Sequence, residues 1–189
     1  HKIFCNLNYM PRIAINGFGR IGRNVLKAAF DLPGFEIIAV NDLADISLLA
    51  HLLRHDTVSR SWGHSVCFDK NSLIIAGKKI RVYAEKDPAA LPWEKEKIDI
   101  VLECTGRYTS EEGASAHLKA GARGVVISAP AKGGNCPTHV LGVNAETISK
   151  KYRVINNASC TTNCIAPLTA VMHQRFGVLR ALMTTVHSY

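Results

Sequence analysis

Short apolar runs alternate along the chain with segments whose apolar residues recur every three or four positions. Residues 12–16 (RIAIN) are predicted to form a strand, and residues 20–30 are predicted to form a helix. The predicted core face of this helix consists of Ile21, Val25, Leu26 and Ala29. The sequence Asp31-Leu-Pro-Gly34 ends the helix, because proline and glycine cannot continue it without cost.

The same alternation continues to the end of the chain. Further strands are predicted over residues 35–41, 73–76, 79–84, 98–104, 124–128, 139–143 and 153–156, and further helices over residues 45–54, 111–120 and 165–176. Gly77-Lys78 between two of these strands indicates a hairpin. Apolar strands separated by helices are typical of a parallel sheet that is covered on both faces. We therefore predict an α/β, doubly wound, mostly parallel sheet.

Composition agrees with a folded domain and narrows the range of partners. The chain has 189 residues, of which 47% are hydrophobic, and no apolar run is long enough to cross a bilayer. We therefore expect no membrane partner. The net charge of +8 favours anionic partners. Because lysine and arginine are dispersed along the chain, we expect phosphate-bearing small molecules as the main partners and not nucleic acid.

Histidines and cysteines give weaker signals. His51 and His55 have a spacing that can bind zinc, but the HExxH pattern is absent, so we expect an exposed helical face and no metal site. The six cysteines form no CxxC pair, which suits a reducing compartment and a cytoplasmic location. Residues 1–10 lack the features of a signal peptide, and we interpret them as an extension or an expression remnant.

A glycine-rich loop lies between the first predicted strand and the first predicted helix. Residues 16–22 (NGFGRIG) match the pattern GxGxxG, in the strand-to-helix context that binding of a dinucleotide diphosphate requires. Asp42 follows Gly22 by 20 residues, at the end of the next strand. A carboxylate there can accept hydrogen bonds from ribose hydroxyls and would repel a 2′-phosphate. The loop therefore predicts binding of NAD in preference to NADP.

A second candidate site surrounds Cys160. Ser159 is a natural N-cap, so Cys160 would lie in the first turn of the helix that follows, where the helix dipole favours a thiolate. A lone cysteine at a helix start is more often structural, and that alternative stays open. His187 lies 27 residues later on a β-rich run, and a strand packed back on the helix could bring its ring near the thiol.

Several motifs, in the same order along the chain, resemble a known family. They are residues 15–23 (INGFGRIGR), 41–42 (ND), 103–106 (ECTG), 127–130 (ISAP), 142–144 (GVN), 158–163 (ASCTTN) and 187–189 (HSY). From about Pro11 onward, the chain closely resembles the amino-terminal part of the phosphorylating glyceraldehyde-3-phosphate dehydrogenases. The resemblance implies a Rossmann-type NAD-binding domain over residues 11–157 and the beginning of an α+β catalytic domain over residues 158–189.

The resemblance also implies roles for individual residues. Cys160 would attack the aldehyde, and His187 would take up a proton and help to keep the thiolate. Ser159 and Thr161 match positions near the inorganic-phosphate site. The implied cofactor-binding residues are Gly17, Phe18, Gly19, Arg20, Ile21, Gly22, Asp42, Lys86, Thr105 and Ser128. The implied reaction is the NAD-dependent, glycolytic conversion of glyceraldehyde 3-phosphate and inorganic phosphate to 1,3-bisphosphoglycerate by a homotetramer.

Two alternatives remain open from the sequence. An erythrose 4-phosphate dehydrogenase would share the loop, the cysteine and the histidine. A non-catalytic nucleotide- or RNA-binding module would use the NAD-binding domain alone. Family members are nearly twice as long as this chain, so we expect the chain by itself to bind NAD weakly and to show little turnover. We also expect apolar side chains of the helix over residues 165–176 to be exposed.

Overall fold

The computed structural model describes residues 9–58 and 62–187. Cys5, most of the predicted extension and the last two residues of the HSY motif lie outside the described residues. The strands are β1 (Arg12–Asn16), β2 (Glu36–Asn41), β3 (Val66–Phe68), β4 (Ser72–Ile75), β5 (Lys78–Tyr83), β6 (Ile100–Glu103), β7 (Gly124–Ile127) and β8 (Val154–Asn156). The α-helices are α1 (Arg20–Ala29), α2 (Ile46–Arg54), α3 (Glu111–Ala114), α4 (Ala116–Lys119) and α5 (Cys160–Phe176). Single 3-10 turns occupy Pro88–Ala90 and Ala145–Thr147.

The strands form one sheet in the order β3-β4-β5-β2-β1-β6-β7-β8. Every pairing from β5 through β8 is parallel, whereas β3, β4 and β5 pair in antiparallel fashion. The sequence prediction of a doubly wound, mostly parallel sheet is therefore confirmed. Because β1 lies between β2 and β6, the chain first builds the sheet to one side of β1 and then to the other. The point of reversal leaves a crevice at the carboxyl ends of β1 and β6, where open α/β sheets bind ligands.

Two apolar clusters cover the two faces of the sheet. Ala14 belongs to one cluster and the adjacent Ile15 to the other, and neighbouring residues of a strand point to opposite faces. The cluster around Ile15 is closed by α1 and α2 through Leu26 and Leu49. The cluster around Ala14 contains the fully buried Trp93. The central strands are thereby buried on both faces, which holds their carboxyl ends in fixed positions.

The hairpin prediction is confirmed, and two helical predictions need correction. β4 and β5 are joined by Ala76-Gly77, both with positive φ, as a tight hairpin turn requires. The predicted helix over residues 111–120 is two short helices that meet at Ser115, whose hydroxyl donates to the Glu111 carbonyl at 2.6 Å. Ile21 was predicted to face the core but is 48% exposed, because it lies in the first turn of α1, at the rim of the sheet.

The predicted strand over residues 139–143 is wrong. None of residues 139–143 lies in a strand, and the nearest pairing is an isolated bridge between Thr138, just before the segment, and Asn156. The side chain of Asn144 accepts from the Val140 N–H at 2.8 Å and donates to the Thr138 carbonyl at 3.0 Å. These side-chain hydrogen bonds close the segment into a turn in place of a strand ladder. The sequence analysis also did not predict β3, which is only three residues long.

The carboxyl-terminal part of the described chain packs differently from the rest. α5 contains no buried residue, and Leu168, Val171 and Phe176 are exposed, as expected from the sequence. Residues 178–187 form no strand. The expectation of a strand around His187 is therefore wrong.

The sequence analysis expected neither a membrane partner nor a metal site. None of the helices there is long and apolar enough to cross a membrane. No group of three or more His, Cys, Asp or Glu side chains that could hold a metal ion occurs in the described ranges. The rings of His51 and His55 contact each other in a tilted arrangement with centroids 4.7 Å apart, and both residues lie at the carboxyl end of α2.

Replacement of Leu53 by alanine is expected to lower the free energy of unfolding by about 2–5 kcal/mol, because it leaves a cavity beneath α2. Leu53 is fully buried. Leu48 lies on the same helix and is 48% exposed, so Leu48→Ala is the matched control, with an expected change below about 0.5 kcal/mol. Urea unfolding of both variants measures the difference, and equal losses would contradict the assigned core face.

Candidate active site

A crevice of about 260 Å³ lies at the carboxyl ends of β1, β2 and β6. Its lining consists of Asn16, Gly17, Gly19, Asn41, Asp42, Leu43, Glu85, Lys86, Cys104, Thr105, Arg107 and Tyr108. A larger groove of about 420 Å³ lies between the end of α1 and the starts of β2 and β5. That groove contains none of the glycine-loop residues, so the crevice is the site that fits the sequence motif.

The three glycines of the loop have two different roles. Gly17 has φ +89°, and a Cβ there would lie 2.7 Å from the backbone nitrogen of Thr105. A Cβ on Gly22 would lie 2.1 Å from the carbonyl oxygen of Gly17, so this helix start can pack against the loop only with glycine. A Cβ on Gly19 would meet no atom within 4 Å. Gly17 and Gly22 therefore shape the loop, and Gly19 leaves open space at the crevice.

Asp42 is held at the rim of this crevice by the backbone. The Phe18 N–H donates to Asp42 Oδ2 at 2.7 Å, and the Ala44 N–H donates to Oδ1 at 3.0 Å. Each carboxylate oxygen retains lone-pair capacity for a further donor. The fixed carboxylate can therefore accept ribose hydroxyl groups, and its charge opposes a 2′-phosphate.

The donor set of the crevice fits a dinucleotide. α1 begins at Arg20 and has no acidic residue in its first turn, so its positive dipole end is free to face a diphosphate. Lys86 and Arg107 add positive side chains to the lining. The open space beside Gly19 lets a ligand approach the backbone. The residues present therefore fit NAD.

Other residues that were predicted to contact the cofactor occupy different positions. The Phe18 side chain is fully buried in the core, so this residue reaches the crevice only through its backbone. Arg20 and Ile21 are exposed beside the loop. Lys86 and Thr105 line the crevice, whereas Ser128 lies just beyond β7, with its N–H donating to the Glu103 carbonyl at 3.0 Å.

A buried polar chain below the crevice was missed by the sequence analysis. Asn41 Nδ2 donates to Asn16 Oδ1 at 2.7 Å, and Asn16 Nδ2 donates to Glu103 Oε2 at 2.6 Å. His117 Nε2 lies 3.0 Å from the same Glu103 oxygen. The only signal in the sequence was that Asn16, Asn41 and Glu103 each end an apolar strand.

The second predicted site is a separate cavity of about 310 Å³ at the start of α5. Ser159 caps the helix by accepting from the Thr162 N–H at 3.0 Å, and no acidic residue lies in the first turn. Cys160 is exposed there, at the positive end of the helix dipole. The structure brings His187 to the same cavity, together with Thr161 and Cys164.

The two cavities share no lining residue within the described chain. The hydroxyl of Thr185 lies 3.1 Å from His187 Nε2 and so orients the imidazole ring. Ala158, just before the cap, has φ +58°, an uncommon backbone conformation for a residue with a Cβ. This sharp turn carries the chain from β8 into α5 and sets the direction in which the helix start faces.

The other described thiols differ from Cys160 in environment. Burial raises the pKa of the Cys104 thiol to about 11. Burial also raises the pKa of the Cys136 thiol. Because the thiolate is the nucleophile, both groups are poorly reactive near neutral pH. Cys67 and Cys164 are exposed, but only Cys164 shares the cavity of Cys160.

Comparison with known proteins supports the same two regions. Residues 11–111 match the model of the glyceraldehyde 3-phosphate dehydrogenase NAD binding domain, and residues 159–189 match the model of the glyceraldehyde 3-phosphate dehydrogenase C-terminal domain. The first match alone spans more than half of the chain, and it places the crevice in an NAD-binding domain.

The chain is also similar to glyceraldehyde-3-phosphate dehydrogenases from several organisms. It is 52% identical to the protein of Geobacillus stearothermophilus and 51% identical to that of Mycoplasma pneumoniae, and each alignment covers 94% of this chain and 53% of the relative. It is 48% identical to the protein of Monascus purpureus, over 95% of this chain and 53% of that relative. The chain thus spans about half the length of these relatives. It belongs to the glyceraldehyde 3-phosphate dehydrogenase family, and NAD is the cofactor of its amino-terminal domain.

Proposed function

We propose that this chain supplies the coenzyme domain and the nucleophile of an NAD-dependent phosphorylating glyceraldehyde-3-phosphate dehydrogenase. The reaction would convert glyceraldehyde 3-phosphate and inorganic phosphate to 1,3-bisphosphoglycerate, in a cytoplasmic homotetramer. The observation that carries the proposal is the shared cavity of Cys160 and His187 at the start of α5. The names of the relatives support the same reaction.

In this proposal, residues 11–157 bind the cofactor and residues 158–189 begin the catalytic domain. Bound NAD supplies the acceptor for the hydride that leaves the aldehyde carbon. The backbone of the loop from Gly17 to Gly22 and the start of α1 hold the diphosphate, and Asp42 holds the adenine ribose. Lys86, Thr105 and Ser128 are assigned to the two ends of the cofactor.

Cys160 acts as the nucleophile. Its thiolate, at the positive end of the dipole of α5, attacks the aldehyde carbon to form a thiohemiacetal. His187 takes the proton of the hydroxyl group as the hydride departs, and the acyl group remains on Cys160 as a thioester. Inorganic phosphate, received by the hydroxyls of Ser159 and Thr161, then cleaves the thioester and regenerates the thiol.

The two alternatives are less well supported. The relatives described above carry the name glyceraldehyde-3-phosphate dehydrogenase, which does not favour an erythrose 4-phosphate dehydrogenase. A module that only binds nucleotides or RNA would not need Cys160 and His187 in one cavity.

The test is NADH formation by the whole protein with either sugar phosphate, in the presence and absence of inorganic phosphate. We expect glyceraldehyde 3-phosphate to give the higher kcat/KM and steady turnover to require phosphate. Preference for erythrose 4-phosphate would assign the alternative substrate. Turnover that is independent of phosphate would contradict the proposed thioester cleavage.

Replacement of Asp42 by asparagine is expected to weaken NAD binding about tenfold and to reduce discrimination against NADP. Asparagine keeps the size of the side chain but removes the charge that opposes a 2′-phosphate, and only one of its two terminal atoms accepts hydrogen bonds. Calorimetric titration with NAD and with NADP measures both effects. Asp45→Asn is the control, because Asp45 only caps α2. An unchanged NAD:NADP affinity ratio in Asp42→Asn would contradict the assigned ribose contact.

A further inference from the structure

Glu103 hydrogen-bonds to residues on both walls of the coenzyme crevice, although its own side chain is buried beneath the crevice. The residue is only 1% exposed. One carboxylate oxygen accepts from Asn16 Nδ2 at 2.6 Å, on the β1 side. The other accepts from the Thr105 N–H at 2.8 Å and from the Thr105 hydroxyl, on the β6 side. A single carboxylate therefore connects the ends of two neighbouring strands at the point where the sheet order reverses.

The hydrogen bonds also define the state of His117. The indole Nε1–H of Trp93 donates to His117 Nδ1 at 3.0 Å, so Nδ1 must be an acceptor without a proton. His117 is then the neutral tautomer with its proton on Nε2, and it donates to Glu103 Oε2 at 3.0 Å. Trp93 and His117 are both fully buried. The carboxylate therefore receives donors on every side and is fixed in one orientation.

This fixed carboxylate holds groups that determine the shape of the glycine loop. Thr105 is the residue that a Cβ on Gly17 would strike, at 2.7 Å from its backbone nitrogen. Asn16 precedes Gly17, and its carbonyl accepts from the Cys104 N–H at 2.7 Å. The spacing between the loop and Thr105 thus depends on the two groups that Glu103 holds.

We propose that Glu103 is a positioning residue for the coenzyme, which sets the width of the crevice by holding Asn16 and Thr105, and that His117 and Trp93 lock its carboxylate. The inference rests on the proposed function, since it concerns the NAD crevice. Glu103 itself lines none of the crevice, so it acts only through its neighbours.

The first test is NAD binding by Glu103→Gln in the whole chain. The glutamine side chain would place an amide N–H donor opposite the donors of Asn16 and His117, and two donors cannot hydrogen-bond to each other. We therefore expect the affinity for NAD to fall about 10-fold to 100-fold. Glu103→Asp keeps the charge on a shorter side chain and should recover part of the loss. Glu96→Gln is the matched control, because the Glu96 carboxylate accepts from the Tyr83 hydroxyl at 2.6 Å, away from the crevice. Its NAD affinity should stay within about twofold of the wild type.

The second test needs no substitution. The chain has two tryptophans, so NMR resolves two indole N–H resonances. Titration with NAD should shift the Trp93 resonance, which reports on His117 and Glu103. The Trp62 resonance should not move, since that ring packs on Phe30 and His64. A merely structural core tryptophan would not respond to the ligand.

The outcomes separate this inference from the proposed function. Loss of affinity in Glu103→Gln together with a shift of Trp93 supports the positioning role. Wild-type affinity in a folded Glu103→Gln variant, or a silent Trp93 at saturating NAD, overturns the positioning role alone. A wild-type protein that does not bind NAD overturns both.

Discussion

Replacement of Gly22 by alanine is expected to abolish NAD binding and to lower the free energy of unfolding by about 3 kcal/mol or more. The added Cβ would lie 2.1 Å from the Gly17 carbonyl oxygen and 3.1 Å from the side chain of Ile15. Both neighbours are held in place, since Gly17 hydrogen-bonds to the Asn41 carbonyl and Ile15 is buried in β1. The start of α1 must therefore move away from the loop, and the diphosphate site is lost with it.

Gly19→Ala is the matched control for this experiment, because it adds the same methyl group to the loop, at the N-cap residue immediately before α1. No atom lies within 4 Å of a Cβ at Gly19, and its φ of −69° is accessible to alanine. We expect stability to change by less than about 0.5 kcal/mol. NAD binding should still weaken, since the methyl group enters the crevice. Thermal unfolding and NAD titration of the pair separate the two effects, and equal stability of the two variants would contradict the assigned packing role of Gly22.

The loop and its acidic partner could be predicted because the signal is local. The glycines occupy fixed positions in the turn between β1 and α1, and Asp42 ends the next strand. In a doubly wound sheet that strand lies beside β1, so the spacing in sequence fixes the position in space. Local signals in the sequence also predicted α2 and the hairpin of β4 and β5.

The remaining errors come from interactions that sequence periodicity does not contain. Residues 139–143 have a strand-like composition, but the side chain of Asn144 captures the backbone groups that a strand would use. The contacts of Glu103 with Asn16 and His117 join residues 87 and 14 positions apart. The contact with Asn16 arises only when β1 and β6 pair, and nothing in the local pattern near Glu103 indicates that pairing.

The site at Cys160 was only half predictable for a related reason. The N-cap, the helix and the exposed thiol follow from the local sequence around Ser159. The position of His187 depends on how the segment after α5 returns to the helix start. The structure places both residues at one cavity without the strand that the sequence suggested.

Replacement of Cys160 by serine is expected to reduce NADH formation from glyceraldehyde 3-phosphate by at least about a thousandfold in the whole protein. A serine hydroxyl remains protonated near neutral pH, so the helix dipole cannot supply an anionic nucleophile. NAD affinity should be unchanged, because the cavity of Cys160 and the coenzyme crevice share no lining residue in the described chain.

Cys164→Ser is the control that isolates the chemistry of one thiol from the packing of the helix. Cys164 lies one turn further along α5, lines the same cavity and is exposed like Cys160. Its replacement should therefore leave the rate within a few-fold of the wild type, because its thiol lies outside the first turn, where the dipole acts most strongly. If both variants lost activity to the same extent, the loss would reflect the shape of the cavity and not the nucleophile. If Cys160→Ser retained turnover, the thioester route would fall, and the chain would be left with coenzyme binding as its only assigned role.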